Sequence, residues 1–171
     1  MPPEDSSPSR SWSAALVEQA RVQVRGLTPG ELRDAQRAGA VVVDLREAEE
    51  IVQSGIIPGA LHVPRGVLEF AADPDSPVHR APLDPTRPVV LYCAVGGRSA
   101  LAALTLQAMG YGSVAHLAGG VEGWLVDGHP LLPWPEASGV SEVTGCPREP
   151  LKHGDQDERR RQPEEGHQQA R

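Results

Sequence analysis

Residues 89–111 read VVLYCAVGGRSALAALTLQAMGY. The run Val89–Tyr92 is short, apolar and β-branched, which suits a strand buried on both faces. The segment Ser99–Met109 is rich in Ala and Leu and is followed by Gly110, as in a helix with a glycine closing it. Between them lie Cys93 and the loop Ala94-Val95-Gly96-Gly97-Arg98. The chain has two cysteines, Cys93 and Cys146, and one of them sits at this strand–helix junction.

Working outward, AVVVDL (residues 40–45) is a second buried strand and SVAHL (113–117) a third. REAEEIVQ (46–53) reads as a short helix ended by Gly55, and IPGALHVP (57–64) as a turn and brief strand. RGVLEFAA (65–72) reads as a helical turn or two, and GGVEGWLVDG (119–128) as the last helix. The prolines between Asp73 and Pro88 mark a surface loop. Thr28, Pro29 and Glu31 form a helix-start signal, with Thr28 as cap, Pro29 in the first position and Glu31 closing a capping box; that helix should stop at Gly39. Strands alternating with helices at this spacing imply βαβ units and a parallel sheet covered on both faces. The expected organisation is a disordered N-terminus (1–11), a helix (12–26), one α/β domain (27–132) and a disordered charged tail (133–171).

A chain of 171 residues with 39% hydrophobic but only 4% aromatic residues can bury one core, built from Val, Leu, Ala and Ile. A formal charge of −7 and a pI near 5.3 argue against a nucleic acid or an anionic membrane as partner. No apolar run reaches the ~20 residues of a membrane span. The opening MPPEDSSPSRSW does not resemble a signal peptide, so the expected location is cytoplasmic, where both cysteines would stay reduced.

Cys93 falls at the carboxyl end of a strand, where ligands of open parallel sheets bind. Gly96 and Gly97 let successive N–H groups converge, and the helix that follows turns its positive end to the same space. Arg98 adds a cation. Together these would stabilise a thiolate and hold an anion beside it, which makes Cys93 a candidate nucleophile. A cysteine ending a buried strand also serves as a small apolar filler, and Gly-Gly-Arg-Ser is what argues for the first role over the second.

The blocks VVVDLREAEE, GIIPGALHVPRG, VVLYCAVGGRSALAA and VAHLAGGVEGW…GHP occur in the order and spacing of a single-domain rhodanese, and the chain from Leu27 to Leu132 resembles that sulfurtransferase family. The resemblance implies a three-layer α/β/α sandwich around a short, mostly parallel sheet. It implies Cys93 as the sulfur carrier, with Ala94, Val95, Gly96, Gly97, Arg98 and Ser99 forming the substrate loop whose amides surround the transferred sulfur. Asp44 and Arg46 match the Asp-x-Arg pair of the family's early strand and would support the site from behind; an ordinary buried ion pair is the equal alternative. The implied partners are a small anionic sulfur donor such as thiosulfate and a thiol or cyanide acceptor, with no metal or organic cofactor, as a monomer or a homodimer. Where the family usually reads Gly-His-Ile-Pro-Gly-Ala, this chain has Ile56, which puts a structural hydrogen bond in doubt.

Other residues carry less. Trp124 suits core packing better than a pocket wall, Arg65 a solvated surface charge, and Ser99 a helix cap. His62, His79 and His116 lack the spacing of a metal site. Cys146 is an exposed tail thiol or a second thiol for a persulfide. Two other functions compete. Loops of cysteine phosphatases and arsenate reductases hold one residue more between cysteine and arginine than the four here, so phosphate should fit poorly. A non-catalytic interaction or sulfur-sensing module would need no working cysteine, and Cys93 with its loop counts against it.

Overall fold

β4 (Val89–Tyr92) lies at the centre of a five-stranded sheet in the computed structural model, which describes residues 11–134. The strand order is β1-β5-β4-β2-β3, with β1 Arg25–Leu27, β2 Val41–Asp44, β3 Leu61–His62 and β5 Val114–Leu117, and every strand pair is parallel. All four residues of each of β2, β4 and β5 are buried, which is why those segments carry no alternating polar positions. Val43, Val89 and Leu91 face a core cluster shared with α4 (Leu68–Ala72) and α5 (Gly97–Ala108). Val42, Val90 and Tyr92 face a second cluster shared with α2 (Pro29–Arg37), α3 (Ala48–Ser54) and α6 (Gly120–Val126). α1 (Trp12–Gln23) packs on α5. The fold is therefore the expected α/β/α sandwich.

Some elements differ from the sequence reading. α1 stops at Gln23 rather than running to residue 26, because Val24 turns extended and buries itself. Arg25–Leu27 then forms an edge strand whose existence depends on pairing with β5, since Arg-Gly-Leu has no strand propensity of its own. The capping box at α2 is as read, with Thr28 Oγ accepting from the Glu31 amide and the Glu31 carboxylate from the Thr28 amide. α5 begins at Gly97, two residues before Ser99. Leu131 and Trp134 still pack against the second core cluster, so packing extends just past residue 132. The rest of the tail, Cys146 and residues 1–10 lie outside the described residues.

β2 leads away to β3 on one side, and β4 leads through α5 to β5 on the other. Their adjacent carboxyl ends thus form the switch point of the sheet, where such folds place ligands. Two charged residues follow β2 there. Arg46 donates from Nε to Asp44 Oδ1 at 3.0 Å and from Nη2 to Oδ2 at 2.7 Å. Its remaining donors reach Ser54 Oγ and the Gly55 carbonyl, both at 2.7 Å, at the end of α3. Neither side chain is more than 2% exposed. The pair ties the end of β2 to the end of α3, and α3 is the helix that faces the candidate site. Removing one member of such a pair strands the other charge in the core. Arg46→Met is expected to lower the unfolding free energy by about 3–5 kcal/mol, read from the urea midpoint at constant slope; a loss below about 1 kcal/mol would contradict this account.

Candidate active site

Cys93 follows β4 directly, and its side chain is 1% exposed. The Gly96 amide donates to Cys93 Sγ at 3.3 Å. Gly96 reaches this position through a left-handed backbone with φ 89°. A side-chain carbon there would overlap the Ala118 carbonyl, so only glycine lets the loop lie this close to the β5–α6 turn. Gly120, with φ 60°, has the matching constraint, since a side-chain carbon on it would overlap the Ala94 carbonyl. The Val121 amide donates to the Cys93 carbonyl at 2.8 Å and the Glu122 amide to the Ala94 carbonyl at 3.1 Å, fastening the two loops together. The amides of Gly97, Arg98 and Ser99 form the first turn of α5, where no intrahelical acceptor exists for them.

Arg98 does not stand free beside the sulfur. It makes a two-pronged ion pair with Glu50 of α3, Nη1–Oε2 2.8 Å and Nη2–Oε1 2.7 Å. The guanidinium hydrogen bonds hold the Glu50 carboxyl at a pKa of about 2, and the same contact raises Arg98 above its ordinary value. Glu50 also accepts the Glu47 amide at 2.9 Å at the start of α3. Sequence reasoning assigned Arg98 to a donor anion; the structure pairs it first with Glu50, and the Cys93 sulfur also acts on it. Glu50 was missed because its partner is 48 residues away, and an acid in REAEE otherwise looks like part of a solvated helix face.

Ser99 is not the cap of α5, because the helix starts earlier, behind Gly96. Its hydroxyl is buried and donates to the Gly96 carbonyl at 3.2 Å. Cys93 Sγ donates to Ser99 Oγ across 3.7 Å, and His116 Nδ1 lies 3.3 Å from the same oxygen. His116 is 1% exposed, and burial, helped by Arg21, pushes its pKa below the ordinary histidine value. The histidine was overlooked, yet a polar residue inside the buried run SVAHL signals a needed partner.

The remaining residues fall into place around this core. Val95 is exposed at the loop tip and Ala94 is half-buried. Trp124 packs in the second core cluster and donates from Nε1 to the Pro130 carbonyl at 2.9 Å. Arg65 pairs with Glu69 at 2.8 Å. His62 bonds the Arg46 carbonyl and His79 the Ala71 carbonyl. Ile56 is fully buried, and its amide and carbonyl pair with Leu132 at 2.9 Å in each direction. The position that carries the family's histidine is here part of the apolar core, and the backbone supplies its hydrogen bonds.

The model of the rhodanese-like domain matches residues 28–127. A curated sulfurtransferase of Allochromatium vinosum is 35% identical over 100 residues, 58% of this chain and 85% of that protein. The human thiosulfate:glutathione sulfurtransferase is 31% identical over 102 residues, 56% of this chain and 88% of its own length. Among solved structures, a Rhodopseudomonas palustris protein of unknown function, named a possible tyrosine phosphatase, is 37% identical with a TM-score of 0.66, covering 77% of this chain and 99% of that one. With the loop, the sheet order and the sequence all in agreement, this chain belongs to the rhodanese-like domain family.

Proposed function

We propose that the protein is a sulfurtransferase in which Cys93 carries the sulfur. The observation that supports this most directly is the Gly96 amide aimed at Cys93 Sγ at the head of α5, inside the switch point of the sheet. The Cys93 thiolate attacks the outer sulfur of an anionic donor such as thiosulfate. The donor's sulfur–sulfur bond breaks, sulfite leaves with the bonding pair, and a persulfide remains on Cys93. A thiol or cyanide then attacks the outer sulfur and takes it as a persulfide or thiocyanate, restoring the thiolate. Splitting the transfer this way gives two easier steps and ping-pong kinetics. The Gly96 N–H, the free first-turn amides and the helix dipole stabilise negative sulfur without a cofactor.

Because Glu50 fixes the Arg98 guanidinium, backbone amides share anion recognition with it, and the pair also holds the loop. The Glu50 carboxyl is depressed on pairing, so its contribution is complete above the ordinary carboxylate range and fades as pH falls toward 2. The near-complete burial of Cys93 favours one second reading, a module that accepts sulfur as a sensor without turning over.

Incubation of the full chain with thiosulfate is expected to add one sulfur atom to the intact mass, and a thiol acceptor to remove it. Cys93→Ser should abolish the gain. An adduct that no acceptor discharges supports the sensor, and no adduct with any sulfane donor overturns both readings. Aryl phosphate is expected to give no Cys93-dependent phosphate release, since the loop holds four residues between Cys93 and Arg98 and leaves its sulfur 1% exposed. Finally, the gap in thermal midpoint between the protein and Glu50→Gln should be constant above about pH 5 and close toward pH 2. A gap independent of pH would remove Glu50 from the loop's support.

A further inference from the structure

His116 is a buried titratable residue that the sulfur chemistry above does not use, and it sits one hydroxyl away from the sulfur. The ring lies in β5, next to β4, and faces the start of α5. A neutral imidazole has one N–H and must place it on Nδ1 or Nε2. Nδ1 looks at Ser99 Oγ at 3.3 Å. Nε2 stands beside Gly26 and has no hydrogen-bond partner among the described residues. An acceptor within the protein for Nδ1–H, and none among the described residues for Nε2–H, favour the proton on Nδ1.

That tautomer decides what Ser99 can do. With its oxygen already accepting from Nδ1–H, the hydroxyl has its own proton left to give. While the sulfur is a thiol, S–H points at Ser99 Oγ and the hydroxyl proton goes to the Gly96 carbonyl. When the sulfur loses its proton, the hydroxyl can swing to it. The Gly96 carbonyl still accepts the Ala100 amide at 3.1 Å, so no buried acceptor is stranded by the swing. The opposite tautomer would accept the hydroxyl proton and draw it away from the sulfur.

We propose that His116 is a positioning residue that, as the Nδ1–H tautomer, turns the Ser99 hydroxyl toward the negatively charged Cys93 sulfur. This rests on Cys93 being the working sulfur. No proton crosses from one residue to another; one hydroxyl changes acceptor as the sulfur changes charge. Among the charged groups, Arg21 on α1 acts on the ring, and Arg98 on α5, paired with Glu50, acts on the sulfur. Burial first, and Arg21 second, oppose a charged imidazole and favour the neutral, tautomer-selecting ring.

The test is the rate of Cys93 alkylation by iodoacetamide against pH, read by mass spectrometry on the Cys93 peptide of the full chain. His116→Phe keeps the ring's bulk and deletes the donor. It is expected to slow alkylation at neutral pH about tenfold and to move the profile to higher pH, the scale of one hydrogen bond to a charged group. Ser99→Ala should do the same, and the double variant should be no slower than Ser99→Ala alone. His116→Asn, whose amide can donate from nearly the Nδ1 position, should recover the original rate to within about twofold. A folded His116→Phe protein with the original profile overturns the proposal, as does His116→Asn behaving like His116→Phe. If His116→Phe does not fold, Ser99→Ala decides, because it leaves the strand untouched; an unchanged profile overturns the proposal there too. Alkylation needs no sulfur donor, so its outcome is separate from that of the thiosulfate mass experiment.

Discussion

Everything at this site depends on two backbone turns lying directly against each other. The loop after β4 and the turn after β5 meet without side chains between them, because Gly96 and Gly120 occupy left-handed conformations at the point of closest approach. The amides of Val121 and Glu122 then close on the carbonyls of Cys93 and Ala94. These contacts turn the Gly96 N–H inward to the sulfur and leave the first turn of α5 above it. Left-handed glycines lose much conformational freedom on folding, so the arrangement costs stability that the surrounding sheet must supply. The same contact brings Ser99 and His116, on elements either side of the turn, within reach of one another.

The second layer of support is electrostatic and runs through α3. Asp44 and Arg46 fasten the end of that helix to the end of β2, and Glu50 on the helix fastens Arg98 on the loop. The two pairs differ in character. The first is buried, so losing either partner is expensive, while the second is about one-third exposed on each side and is worth less. Its two-pronged geometry gives orientation more than energy. An arginine engaged in this way gives two of its five N–H groups to Glu50, and backbone dipoles share with it the positive potential at the sulfur. Those dipoles are fixed by the fold and need no rearrangement as charge arrives.

What the sequence made legible was local. Val89–Tyr92 and the Thr28–Glu31 capping box each encode their structure within a few residues, and each stands as read. Arg25–Leu27 was not legible, because its strand is made by β5 across the sheet rather than by its own residues. Ser99 was misassigned to a cap because the helix starts two residues earlier, at a left-handed Gly96 that composition alone does not reveal. Glu50 and His116 belong to the site through partners 48 and 17 residues away, and nothing in their neighbours announces those partners. The resemblance to rhodaneses named Cys93, Asp44, Arg46 and Arg98 but not Glu50, the partner that fixes where the Arg98 guanidinium sits.

Burial of the sulfur sets what kind of donor the loop can serve. With Cys93 1% exposed, a substrate must present its reacting atom at its own end rather than from within a bulky group. Sulfane donors do this, since the atom transferred is their terminal one. In the proposed reaction the outer sulfur of a Cys93 persulfide would stand one bond length beyond Sγ, with the first-turn amides of α5 and the Ser99 hydroxyl as the donors available to it. Charge on the sulfur therefore grows where unpaired donors already wait, and the acceptor meets an atom that stands clear of the buried thiol. A phosphoryl group offers no comparable terminal atom, because its reacting centre is enclosed by its own oxygens. On the proposed reading, the closeness that Gly96 and Gly120 permit suits transfer of a single small atom.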